Sequence, residues 1–140
     1  MSTGFQVAID CADPHRQALF WAAALGYVVE SNEEQIRGLI AAGFATEDDA
    51  MTFDGGLVWR TAAACFDPEG HHPRLYFQEV EEPRVAKNRL HLDLRFGPER
   101  MEEEVERLTT LGATRLWEGQ QGPHNWVTMA DPEGNEFCVA

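Results

Sequence analysis

One pattern occurs twice in the 140-residue chain, and that duplication limits what it can fold into more than any other feature. The first copy runs Val7-Ala8-Ile9-Asp10, a segment ending Leu25-Gly26, then Phe66-Asp67-Pro68-Glu69-Gly70 and Leu75-Tyr76-Phe77-Gln78. The second runs Leu90-His91-Leu92-Asp93, a segment ending Leu111-Gly112, then Ala130-Asp131-Pro132-Glu133-Gly134 and Glu136-Phe137-Cys138. Each copy reads as strand, helix and three strands. The expected fold class is therefore α+β: two βαβββ modules pairing into a cupped mixed sheet around one pocket.

The copies differ in length. Gly26 to Asp67 is 41 positions and Gly112 to Asp131 is 19, so the first copy carries about 22 extra residues. Within them Ser31-x-x-Glu34 is a capping box, opening a helix with Ile36, Leu39 and Ile40 inward and Gly43 closing it. Asp54-Gly55 between Met51-Thr52-Phe53 and Leu57-Val58-Trp59 signals a hairpin. The expected divisions are module one at about 5–80, a helix-hairpin insertion at about 31–56, a linker at about 79–87 and module two at about 88–140. The insertion either covers one mouth of the pocket or only thickens the core.

Local chemistry supports both module helices. Asp13 suits an N-cap, Pro14 the first turn and Gly26 the position after the last turn. Pro98 and Glu99 suit the start of the second helix and Gly112 its end. Met101, Val105, Leu108 and Leu111 form one apolar stripe, with Glu102, Glu103 and Glu106 off it as a solvated face. In the strands, Val7 and Ile9 alternate with Gln6, Ala8 and Asp10. Leu90, Leu92 and Leu94 likewise alternate with Arg89, His91 and Asp93. Each strand thus has an apolar back toward a helix and a polar front, as a ligand-holding sheet requires.

With 24 acidic and 11 basic side chains the formal net charge is -13, which disfavours nucleic acid and anionic membrane surfaces as partners. Hydrophobic residues make up 44% of the chain, enough to bury a core. No apolar run approaches the ~20 residues of a bilayer span, and the start lacks a signal-peptide pattern. Cys11, Cys65 and Cys138 are odd in number and widely spaced, which suits reduced thiols and a cytoplasmic setting.

The doubled unit, the Phe20…Leu25-Gly26 helix end, the paired Asp-Pro-Glu-Gly turns, the stretch Lys87-Asn88-Arg89-Leu90-His91-Leu92-Asp93 and the ending Asn135-Glu136-Phe137-Cys138 resemble the vicinal oxygen chelate superfamily. That superfamily includes glyoxalase, bleomycin-resistance proteins and extradiol dioxygenases, and the match is nearest to its glyoxalase-like branch. Metal enzymes of this kind carry up to four ligands, which fall here on Ala8, Gln78, His91 and Cys138. Alanine cannot ligate, and cysteine stands where glutamate is usual, so the resemblance implies a pocket working without a cofactor. If a divalent metal (zinc, nickel or manganese) is bound, its ligands are expected among His91, Gln78, Glu136 and Cys138, with Asp93 able to complete a zinc set. Dioxygenase or fosfomycin thiol-transferase chemistry, needing two histidines and a glutamate, is disfavoured.

Without metal, His91 and Asp93 sit at i and i+2 on one face, where the carboxylate orients the imidazole for acid–base work, and Glu136 is the complementary acid or base. Gln78, Tyr76, Trp59, Trp126 and Arg89 are the expected substrate contacts. The set suits proton abstraction next to a carbonyl, as in an isomerase or lyase. A non-catalytic binder of the bleomycin-resistance type is the alternative, and a filled structural module is a third. His91, Asp93 and Arg89 could equally form a polar network serving only the fold. His71, His72 and His124 read as loop residues. Trp117 reads as either core or pocket wall, and Lys87 and Arg89 as partners of an anionic ligand or of Glu81 and Glu82. The expected partners are a small-molecule ligand or substrate and, by resemblance, a second copy of the chain.

Overall fold

Two units make up the chain, Met1–Glu82 and Pro83–Ala140, in a computed structural model that describes residues 1–140. In the first, β1 (Val7–Cys11), α1 (Pro14–Leu25) and β2 (Val28–Val29) precede the extra segment. That segment holds α2 (Glu33–Ala41), a 3₁₀ turn (Glu47–Asp49), β3 (Ala50–Phe53) and β4 (Gly56–Trp59). Strands β5 (Ala62–Phe66) and β6 (Leu75–Glu79) complete the unit. In the second, β7 (Asp93–Leu94), α3 (Met101–Leu111), β8 (Thr114–Gln121), β9 (His124–Ala130) and β10 (Glu136–Val139) follow.

The sheet orders are β1-β6-β5-β2 and β7-β10-β9-β8. In both the first strand lies parallel to the last and the other pairs are antiparallel. The duplication in the sequence is therefore a duplication of topology, and the fold is α+β with mixed sheets. No helix is long and apolar enough to cross a membrane.

Local interactions explain the element ends. Asp13 Oδ1 accepts the Arg16 N–H at 3.1 Å, capping α1. At the other end Gly26 takes φ 71°, and the Tyr27 N–H reaches back to the Ala22 carbonyl at 2.8 Å. In α3 the Ala113 and Gly112 N–H groups bond the Leu108 and Thr109 carbonyls in the same closing pattern. The paired turns also match. Asp67 Oδ1 accepts the Glu69 N–H and Asp131 Oδ1 the Glu133 N–H, each at 2.9 Å. The Glu69 N–H, helped by those of His71 and His72, holds the Asp67 carboxyl below its usual range.

Each unit has its own apolar interior. Helix α1 packs Ala18, Phe20 and Trp21 toward β5 and β6, where Cys65, Leu75 and Phe77 are fully buried. Helix α3 packs Val105 and Leu108 toward β8 and β10, and Val127, Met129, Phe137 and Val139 close the second core. A fully buried Phe or Leu contributes roughly 1.5–3 kcal/mol by leaving water.

Several local expectations are corrected. Helix α2 begins at Glu33 with Asn32 at the cap and no side-chain capping bond, so Ser31 caps nothing. The reciprocal capping box lies instead at Thr46 and Asp49, opening the 3₁₀ turn. Of the α2 residues expected inward, Ile36 is fully buried and Leu39 and Ile40 are half-buried. Helix α3 starts at Met101, since Pro98 to Arg100 form a turn, and Leu111 at the end of its stripe is exposed. Leu90, expected to face a helix, is 89% exposed, and regular pairing of β7 begins only at Asp93.

Candidate functional site

The front of the second sheet is set by register. Cys138 on β10 pairs with Asp93 on one side and Thr128 on the other, while Trp117 pairs with Thr128 across β8 and β9. Because side chains alternate, His91, Asp93, Cys138, Glu136, Thr128 and Trp126 share one face. They line a cleft of about 430 Å³, together with Lys87, Arg95, Trp117 and Ala140. Lys87 and Arg95 add positive charge to its wall, and the two tryptophans add flat apolar surface.

Within the cleft, His91 Nδ1 and Asp93 Oδ1 are 2.9 Å apart. That contact fixes the ring and leaves Nε2 without a protein partner. Cys138 joins the pair: one donor atom each from His91, Asp93 and Cys138 lie within 4.8 Å of one another. Thr128 Oγ1 lies 3.5 Å from Cys138 Sγ.

Glu136 is 9% exposed and both its oxygens are engaged. Oε1 accepts the Arg84 guanidinium, and Oε2 accepts the Asn88 N–H at 3.0 Å. Asn88 also donates through its side chain to Asn135 Oδ1 at 3.1 Å, next to the turn that Asp131 organises. Burial raises the Glu136 carboxyl, but the Asn88 N–H and Arg84 together outweigh it and hold the group below its usual range. Glu136 thus anchors the 84–88 segment, which carries Lys87 to the cleft wall.

The residues expected to form one site divide between the units. His91, Asp93, Glu136, Cys138 and Trp126 come together in the second-unit cleft. Tyr76 and Trp59 line a cleft of about 380 Å³ on the first unit. There Arg74 makes two bonds to the Glu30 carboxylate, at 2.8 and 3.0 Å, and lies over the Tyr76 ring. Gln78 is exposed on β6, its carbonyl accepting the Cys11 thiol at 3.6 Å, and Arg89 is exposed; neither lines these two clefts. Lys87 and Arg89 make no ion pair with Glu81 or Glu82; Lys87 Nζ bonds the Asn88 carbonyl instead. Trp117, read as core or wall, is half exposed at the cleft. Thr128 and Arg95 were not foreseen, although their alternation with Val127 and Leu94 put them on the front face.

The donor set fits a metal of one kind. An imidazole nitrogen, a carboxylate oxygen and a thiolate sulfur suit zinc, which needs donors about 2.0–2.3 Å from the ion. They suit manganese poorly, because sulfur is too soft a donor for it. Those three come from β10, β7 and the segment just before it, and Glu136 is not free to join them.

The chain matches the glyoxalase-like domain model over residues 6–140. No functionally curated protein matches it by sequence. Among solved structures it is similar to a glyoxalase/bleomycin resistance protein/dioxygenase family enzyme from Burkholderia phytofirmans, at 15% identity and TM-score 0.65, covering 96% of this chain and 94% of that one. It is similar to the hypothetical protein SA1046 from S. aureus, at 12% identity and TM-score 0.64, covering 99% and 93%. It also resembles a mutant of the fosfomycin resistance protein FosX from Listeria monocytogenes complexed with Mn(II) and 1S,2S-dihydroxypropylphosphonic acid, at 11% identity and TM-score 0.62, covering 99% and 90%. With a family model matching almost its whole length, the chain belongs to the glyoxalase-like domain family, and its fold is shared across these distant sequences.

Proposed function

We propose that the protein is a small-molecule enzyme of glyoxalase-like type, an isomerase or lyase that moves a proton next to a carbonyl in the second-unit cleft. The observation that carries this reading is the His91–Asp93 contact of 2.9 Å inside a cleft large enough for a small substrate. Asp93 holds the ring through Nδ1, and Nε2 takes or delivers the proton. Trp117 and Trp126 confine the ligand, and Lys87 and Arg95 favour an anionic group on it. Glu136 acts as a positioning residue, keeping Lys87 at the wall. Should zinc be held by His91, Asp93 and Cys138, it would polarise the substrate carbonyl.

The rival reading is a binder of the bleomycin-resistance type, and the paired tryptophans favour it, since flat aromatic walls alone can hold a ligand. A His91→Ala variant separates the two, read on whichever carbonyl compound the intact protein binds. Loss of turnover by about two to four orders of magnitude, with affinity little changed, supports the enzyme. Binding with no turnover by either protein supports the sequestering role.

A further inference from the structure

Cys138 differs from the other cysteines in ways that packing does not require. Cys11 and Cys65 are buried, and burial pushes the Cys65 thiol up to about 12, so both are inert structural thiols. Cys138 is half-buried and opens onto the second-unit cleft, in register with Asp93 and Thr128. Its sulfur lies within 4.8 Å of a His91 ring nitrogen, and that ring is bonded to Asp93. A nucleophile, a base and a carboxylate that orients the base are the three parts of an activated-thiol site, and distances between nucleophile and base are commonly longer before substrate binds. Lys87 and Arg95 add cationic groups to a lining that also holds Asp93 and Glu136, and the half-buried Cys138 keeps the partial exposure that a reacting thiol needs.

We infer that Cys138, His91 and Asp93 form a nucleophilic thiol site that captures aldehydes as reversible hemithioacetals. This rests on the reading of the cleft as a site for carbonyl compounds, and names the aldehyde class and the covalent step. The Cys138 sulfur forms a C–S bond to the carbonyl carbon while the C=O π pair moves to oxygen. The thiol proton passes through His91 to that oxygen. Nothing is oxidised or reduced, and reversal returns the free aldehyde and the thiol. Trp117 and Trp126 make aromatic aldehydes the best-matched members of the class.

The test uses the full chain, freed of metal with a chelator, and benzaldehyde labelled with ¹³C at the carbonyl. The labelled carbon is expected to move from the aldehyde to the tetrahedral region of the NMR spectrum with the intact protein. The shifted signal should vanish in Cys138→Ser, which preserves side-chain size. In parallel, alkylation of Cys138 by iodoacetamide, followed by peptide mass spectrometry, should slow about 10²-fold or more in His91→Gln, the scale of general-base assistance. A shifted signal that survives Cys138→Ser, or no shifted signal although benzaldehyde binds, overturns the inference. So does an alkylation rate unchanged by His91→Gln. If benzaldehyde binds without any adduct while His91→Ala abolishes turnover of an enolisable carbonyl compound, only the covalent step falls. If no carbonyl compound binds the cleft at all, the functional reading falls with it.

Discussion

The indole of Trp126 lies across Gly119 on the neighbouring strand, so close that a β-carbon at 119 would sit 2.2 to 2.5 Å from three ring atoms. The two residues are in register between β8 and β9, and Trp126 lines the cleft. A Gly119→Ala substitution must therefore push the ring out of place. The expected outcome is a shifted tryptophan emission, weaker ligand binding and a stability loss of about 1–3 kcal/mol from overpacking. Fluorescence and thermal melts check this together.

The anchoring of the 84–88 segment by Glu136 makes a pH-dependent contribution. The group's folded value lies below the ordinary 4.5, so its stabilisation is fully present above that value and is lost as pH falls through the lower folded one. Glu136→Gln removes the charge that Arg84 and the Asn88 N–H bind and should cost about 1–3 kcal/mol at pH 7. The gap from the parent protein should shrink on acidification below the folded value. Melting temperatures of the two proteins between pH 3 and 7 provide the measurement.

The inserted hairpin turns on two left-handed residues, Asp54 at φ 48° and Gly55 at φ 80°. That pair makes the type I′ turn whose twist matches the strands, and any residue with a β-carbon at 55 pays roughly 1–2 kcal/mol. Gly55→Ala is expected to lower the melting temperature, while Asp54→Asn, which tolerates this conformation, leaves it unchanged. If both variants melt like the parent, the turn does not have this form.

The repeat was legible because its markers are local. A helix end that needs Gly26 or Gly112, a carboxylate that folds back onto the N–H two residues on, and an Asp-Gly turn are each decided within a few residues. Leu90 was misread because alternation reports extended backbone but not whether a partner strand runs beside it; pairing with β10 reaches only Asp93 and Leu94. Ser31 failed as a cap for a related reason, since Asn32 took the place one residue later. In the site, alternation put His91 and Asp93 on one face. What spacing could not reveal was the engagement of Glu136, because its partners Arg84 and Asn88 are 52 and 48 residues away.

The core of the second unit supplies a control for these site variants. Leu108 on α3 is fully buried, and Leu108→Ala should cost about 2–5 kcal/mol through the cavity it leaves. His91→Ala, at an exposed position, should cost far less. Chemical denaturation of both variants checks the contrast and ensures that a loss of function in the second is not a loss of fold.

The most direct measurement is NMR mapping of a panel of small carbonyl compounds on the labelled full chain, following the His91 ring and the indole N–H groups of Trp59, Trp117 and Trp126. The expected result is that binders move His91, Trp117 and Trp126 together, and that the two indole shifts persist in His91→Ala, where affinity is little changed. Binders that move Trp59 instead, leaving His91 and Trp126 unchanged, would place ligand recognition in the first-unit cleft and contradict the account.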